Sequence, residues 1–283
     1  MATVRDALKR AEDELAAGSL GERARRDAEM LLRSVLGRDK AWLITNQNSA
    51  VDGDAAVQLE AAIVRRLRGE PIQQIIGECE FYGLPFRVTR DVLIPRPETE
   101  HLVEAVLELA LGSAAARIVD VGTGSGAIAV ALAHALKSDR VTAIDISKQA
   151  LAVARENAAR NGVQIRFLEG DLLAPVGGET FDVVVSNPPY VPDADRKTLP
   201  VEVREYEPGL ALFAGKNGLD VYRRLIPQAF HTLNPGGHVL LEIGYGQAQA
   251  VRELLEQSGF FNVRFRPDLQ GIPRVLDAMR GKD

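Results

Sequence analysis

Two periodicities divide the chain. Up to Leu67 the apolar positions recur at helical spacing, and after Arg117 they gather into short unbroken runs. Val4, Ala7, Leu8, Ala11 and Leu15 form one stripe ahead of Gly18. Ala24, Ala28, Leu31, Leu32 and Val35 form a second ahead of Gly37, and Ala56, Leu59, Ile63 and Leu67 a third that runs to Gly69 and Pro71. Each stripe predicts a helix with a glycine at its C-terminus. Helices this short must bury their stripes against one another, so residues 1–75 read as a small all-helical domain.

Between residues 76 and 96 the pattern breaks. Gly77, Gly83, Pro85 and Pro95 punctuate β-like pieces such as Phe86-Arg87-Val88, the signature of a linker built on a hairpin. A helix starts near Pro97, a residue suited to a first helical turn, and runs to about Leu111. Residues 97–283 then form one β/α domain. Strands are predicted at Ile118–Val121, Val141–Ile144, Ile165–Leu168, Phe181–Val185, Val239–Ile243 and near Val263 and Val275. Helices are predicted from about Ser125 to Leu136, from a Ser147 cap to Asn161-Gly162, over Leu219–Leu233 and over Gln247–Gln257. Apolar strands alternating with helices make an α/β fold, a doubly wound, mostly parallel sheet covered on both faces. Ligands of such sheets bind beyond the strands' carboxyl ends, where the strand order switches.

Charge narrows the function classes. The chain carries 34 Lys and Arg against 39 Asp and Glu, a formal net charge of -5. Residues 1–80 hold 12 basic and 14 acidic side chains. A grip on duplex nucleic acid calls for a basic excess, and none is present, so no direct nucleic-acid partner is expected. The arginines at 23, 25, 26, 65, 66 and 68 are clustered, either as solvated helix faces or as a docking surface. Cys79 is the sole cysteine, which excludes an internal disulfide and a Cys/His zinc site. Met1 to Arg10 lacks an apolar core of a signal peptide, and no apolar run is long enough for a membrane span. A cytoplasmic protein without metal or membrane association is the expectation.

The candidate chemistry sits at strand ends. Val119-Asp120-Val121-Gly122-Thr123-Gly124-Ser125-Gly126-Ala127 follows the first strand, and its glycines allow a sharp turn and close approach to a ligand. Gly122, Gly124 and Ala127 satisfy a dinucleotide fingerprint, with Asp145 at the distance of a ribose-binding acid. The same residues parse as Asp120-x-Gly122-x-Gly124-x-Gly126, a loop for S-adenosylmethionine whose Asp120 suits an ammonium group. Asp145 serves ribose hydroxyls in either case, so both cofactors stand at this point. Asp171, in Gly170-Asp171-Leu172, can accept from an exocyclic amine such as that of adenine, with Leu172 over the ring. The deciding segment is Asn187-Pro188-Pro189-Tyr190 after the fourth strand. Two prolines stiffen it and remove two N–H donors, leaving carbonyls free to accept. Asn187 adds a side-chain acceptor and Tyr190 a flat ring. This is a clamp for an NH2 group on a conjugated plane, and it has no purpose in a nicotinamide enzyme.

Gly122 to Gly126, Asp145 and Asn187 to Tyr190 resemble the class I methyltransferases that modify amide or exocyclic amino nitrogens. Phe81-Tyr82-Gly83-Leu84, Val92 to Glu100, Tyr206-Glu207-Pro208, Gly215 to Tyr222 and Leu241-Glu242-Ile243-Gly244 narrow the resemblance to the release factor glutamine methyltransferases, over essentially the whole chain. Gln74 stands where relatives often have tyrosine. The resemblance implies a Rossmann-like methyltransferase sheet over 97–283 and a substrate-recognition role for the helical domain. It implies S-adenosylmethionine as methyl donor, leaving S-adenosylhomocysteine, and class 1 peptide release factors as protein substrates. The acceptor would be the side-chain amide nitrogen of the glutamine in Gly-Gly-Gln. Asn187 and the Pro188 carbonyl would hold the two amide N–H groups, with Pro189 and Tyr190 completing the clamp and Asn187 also facing the methyl donor. Asp120, Gly122, Thr123, Gly124, Ser125, Gly126, Asp145, Asp171 and Leu172 would bind the cofactor. An amino-group methyltransferase acting on adenine or guanine in DNA or RNA would use the same clamp and is the alternative.

Overall fold

Glycines and stripes set the helical elements, though not always by ending them. The computed structural model describes residues 2–110, 116–268 and 270–282. Its contacts divide into two units, Met1–Gly77 with Pro200–Tyr206, and Glu78–Leu199 with Glu207–Asp283. In the first, α1 (Val4–Leu15) opens on a capping box, in which the Thr3 hydroxyl oxygen accepts from the Asp6 N–H and the Asp6 carboxylate accepts from the Thr3 N–H. It does not stop at Gly18. A wider turn carries the chain over Ala16–Leu20 before Gly21, at φ 50°, reverses it. A Cβ at Gly18 would come within 2.2 Å of Leu67 Cδ2, the end of a side chain 40% exposed and free to swing aside. α2 (Ala24–Leu36) does end on a left-handed Gly37.

α3 (Lys40–Thr45) and α5 (Ile72–Ile76) are too short to give a readable stripe, and neither was expected. α4 (Gly53–Leu67) buries Ala55, Leu59, Ala62, Ile63 and Arg66, while the expected Ala56 and Leu67 face solvent. The stripe therefore lies partly one position away. Leu15, Leu31, Leu32, Leu43, Leu59 and Ile63 form a core belonging to this unit alone.

In the second unit β1 (Glu78–Phe81) and β2 (Leu84–Arg87) pair antiparallel across Tyr82 and Gly83, both at positive φ. That backbone matches the two-residue turns hairpins favour. A single helical turn at Pro97–Thr99 leads into α6 (Glu100–Ala110); the expected end at about Leu111 lies outside the described residues. There follow β3 (Ile118–Val121), α7 (Ala127–Leu136), β4 (Val141–Asp145), α8 (Lys148–Arg160), β5 (Arg166–Glu169) and β6 (Phe181–Ser186). After α9 (Val201–Tyr206) come α10 (Asp220–Thr232), β7 (Leu233–Glu242), α11 (Ala248–Gln257), β8 (Phe261–Pro267) and β9 (Pro273–Met279).

Among the described residues seven strands form one sheet, ordered β5-β4-β3-β6-β7-β9-β8. The first five are mutually parallel, and β9 runs antiparallel to β7 and β8. Ile118, Val183, Val185 and Leu240 pack under α6 and α7, whereas Val119, Val121, Val184, Val239 and Leu241 pack under α10 and α11. Alternate residues thus serve opposite layers, the doubly wound arrangement expected. The order reverses between β3 and β6, and their carboxyl ends point to one place. No helix among the described residues is long and apolar enough to cross a membrane.

α9 is the unexpected member of the helical unit. Arg66, 2% exposed, needs anions to offset the loss of water around its charge. Its Nε donates to Asp27 at 2.7 Å and its Nη2 to Glu202 of α9 at 2.9 Å. The Gln74 amide donates to the Tyr206 carbonyl at 3.1 Å, and the Tyr206 hydroxyl to the Arg68 carbonyl at 3.0 Å. Arg65 pairs with Glu70, Arg25 with Glu12 and Arg23 with Glu202. Much of the arginine cluster is thus spent on ion pairs inside the unit.

Candidate active site at the switch in strand order

The turn after β3 is shaped by its backbone. Gly122, Gly124 and Gly126 all adopt positive φ, 73°, 55° and 83°. A Cβ at Gly122 or Gly124 would meet only open space, whereas at Gly126 it would press on Ala154 of α8 at 3.1 Å. The first two glycines leave open space above the turn, and the third lets two elements approach. Asp145, at the end of β4, stitches this turn to its own. Its Oδ2 accepts from the Gly124 N–H and its Oδ1 from the Ser147 N–H, each at 2.8 Å. Burial raises its pKa, opposed by these bonds.

Asp120 lies beneath the turn and is fully buried. Its Oδ2 accepts from the Thr123 hydroxyl at 2.6 Å, while Oδ1 makes no close hydrogen bond and the Ala129 N–H reaches toward the carboxylate. Burial pushes its pKa up to about 7. Ser125 is buried as well, its carbonyl accepting from Asn157 at 2.9 Å.

The other wall follows β6. The Ser186 hydroxyl donates to the Val121 carbonyl at 2.6 Å and fixes the ends of β6 and β3 together. Beyond it the Asn187 Nδ2 donates to the Thr99 hydroxyl oxygen at 3.1 Å, and Thr99 donates to Glu242 Oε2 at 2.7 Å. Glu242 is 3% exposed, and burial pushes its carboxyl up to about 7, opposed by the bonds from Thr99 and Asn187. Pro188 is buried and Tyr190 half-buried. The Tyr190 carbonyl accepts from Gln247 at 2.9 Å, and its ring lies where a Cβ at Gly244 would be 2.9 Å away. Burial holds its phenol up to about 12.

Both walls face a cavity of about 240 Å³ within the second unit. Gly122, Gly124, Asp145, Asp171, Leu172, Asn187 and Pro189 line it; Asp120, Thr123, Ser125, Gly126, Pro188 and Tyr190 stand behind the lining. Asp171 is already ion-paired with Arg224 of α10, which lines the cavity too. Sequence reasoning did not name Arg224, nor Ile146, an apolar side chain left 52% exposed beside Asp145. It missed Val92, Leu210 and Phe213 on the rim, and gave Thr99 and Glu242 no role. The lining combines a carboxylate, Asp145, with apolar Ile146 and Leu172 and open space over two glycines.

A family model described as the methyltransferase small domain matches residues 98–202, and one described as the PrmC N-terminal domain matches residues 6–77. A release factor glutamine methyltransferase from Moorella thermoacetica is 45% identical over 99% of this chain and 100% of its own length. The chain belongs to the release factor glutamine methyltransferases. A second member, from Koribacter versatilis, is 46% identical over 89% of this chain and 90% of its own. The crystal structure of a methyltransferase from Pyrococcus furiosus shares the fold at 22% identity, with a TM-score of 0.53 over 77% of this chain and 97% of that one. Family membership makes the chain a methyltransferase, and nothing in it favours the nucleic-acid alternative.

Proposed function

We propose that this chain transfers a methyl group from S-adenosylmethionine to the side-chain amide nitrogen of the glutamine in the Gly-Gly-Gln motif of class 1 peptide release factors. The observation that carries the reading is that Asn187 and Pro189, after β6, line the same cavity as Gly122, Gly124 and Asp145. Full-length similarity to proteins named for this reaction supports it. S-adenosylmethionine, when bound, supplies a methyl group on positively charged sulfur. Asp145 would take the ribose hydroxyls, Ile146 and Leu172 the adenine faces, and Asp171 the exocyclic amine. Asp120, behind the lining, holds Thr123 and would place negative potential under the donor's ammonium end.

An amide nitrogen lends its lone pair to its carbonyl and is a poor nucleophile. Asn187 Oδ1 and the Pro188 carbonyl accept its two N–H groups, which aims the nitrogen and draws electron density onto it. Tyr190, neutral across the physiological range, offers its ring as a plane behind the substrate amide. Catalysis is then mainly positioning, with the displaced proton passing to water. Release factors place the reaction in the cytoplasm. Incubating the chain with labelled methyl donor should label a release factor and leave ribosomal RNA, transfer RNA and DNA unlabelled; label on nucleic acid instead would overturn the reading.

The helical unit is the part of this proposal that recognises the protein substrate. It has its own core and does not contribute to the cavity. Hydrogen exchange with and without release factor tests this: protection within residues 4–67 is expected, and unchanged exchange there would contradict it.

A further inference from the structure

The chain of donors behind Asn187 has a direction, and chemistry forces it. An ionised carboxylate can only accept, so Glu242 compels the Thr99 hydroxyl to donate to it, at 2.7 Å. Thr99 Oγ1 is left with lone pairs alone to offer. Asn187 must therefore turn its NH2 inward, and it does, at 3.1 Å. Its Oδ1 is then the end left for the cavity that Asn187 lines. An asparagine without such a partner could equally present its NH2, which would oppose a substrate N–H rather than accept from it.

We propose that Thr99 and Glu242 are positioning residues that fix which end of the Asn187 amide meets the substrate. The inference rests on Asn187 accepting from the substrate amide. Neither residue lines the cavity, and both are buried, so they act through Asn187. With Asn187 they come from three separate places in the chain: the turn before α6, the residue after β6 and the end of β7. A buried carboxylate at a strand end, where an apolar side chain would pack without cost, calls for such a role.

The surroundings add a pH readout. Glu98 beside Thr99, Arg274 on β9, Tyr190 after β6 and Tyr222 on α10 face this carboxyl, and its pKa rises to about 7. As pH falls through that value Glu242 takes a proton and becomes able to donate. The chain can then run backwards, Thr99 donating to Asn187 Oδ1 with the amide reversed.

Three variants test the inference with release factor and S-adenosylmethionine as substrates. Thr99→Val keeps the volume and removes the hydroxyl; kcat should fall by about 10²-fold, the scale of a misaligned reacting pair. Its KM for release factor and its Kd for the methyl donor should change little. Thr99→Ser, which keeps the hydroxyl, should retain most of the rate. Glu242→Gln can run the chain either way, so its kcat should be low above pH 7 and should lose the fall that wild type shows below it. Asp120 has a similar pKa and is intact in that variant, so a fall that persists belongs to Asp120 and overturns the Glu242 part. Equal kcat in folded Thr99→Val and wild type would overturn the whole. Slow exchange of the Asn187 Nδ2 protons, read by NMR, should be weakened in Thr99→Val, where only the bond to Glu242 is left to hold them. That readout decides the positioning even if wild type methylates no release factor, an outcome that would instead sink the proposed function.

Discussion

The two walls of the cavity are built by different means. On the β3–β4 side, backbone does the work: positive-φ glycines open the space, and both oxygens of Asp145 accept from main-chain N–H groups of adjacent turns. On the β6–β7 side, side chains from residues 99, 187 and 242 form a buried relay. A backbone wall suits a ligand that is the same in every turnover. A side-chain wall can set the direction of a single hydrogen bond, which a reacting nitrogen requires. The first should fail by loosening, and the second by losing chemistry with the fold intact.

Asn187→Ala is the sharpest way to break that contrast. It removes the acceptor without opening a core, so turnover should drop by roughly 10²–10³, the effect of one positioned polar group at a reacting centre. The thermal midpoint and the KM for release factor should hardly move. A folded variant turning over at the wild-type rate would leave the side-chain wall without a purpose.

Asp145→Ala probes the backbone wall and should give a smaller, broader effect. Loss of charge-assisted bonds to the donor's ribose should weaken its binding by about 1.5–3 kcal/mol, measured by calorimetry. The N–H groups of Gly124 and Ser147 lose their acceptor at the same time, so the melting temperature should drop as well. Unchanged affinity and unchanged melting would contradict the assignment of this wall to the cofactor.

The same contrast governs what could be read in the sequence. Glycines at 122, 124 and 126 after an apolar run, and an acid closing the next strand, are local patterns, and the strands of the sheet fall within a residue or two of their expected places. β7 is the exception. Its first residues, Leu233-Asn234-Pro235-Gly236, have the composition of a turn; of these only Leu233 pairs with β6, and the register resumes at His238 after an irregularity. The relay was not legible because Thr99 and Glu242 are 143 residues apart, and either alone looks like an ordinary polar residue. The membership of α9 in the helical unit was hidden for the same reason, since Glu202 answers a buried charge 136 residues upstream. Gly18 was misread because α1 passes into a wider turn over Ala16–Leu20 and the reversal falls on Gly21 instead.

The central claim is that the wall carrying Asn187 presents an amide nitrogen for methylation. The most direct test is fragment-by-fragment mass spectrometry of a class 1 release factor after incubation with this chain and S-adenosylmethionine. The account predicts a single added methyl group, on the side-chain nitrogen of the glutamine in Gly-Gly-Gln, and none when Asn187→Ala replaces the wild type. A methyl group on any other residue, or equal methylation by Asn187→Ala, would contradict it.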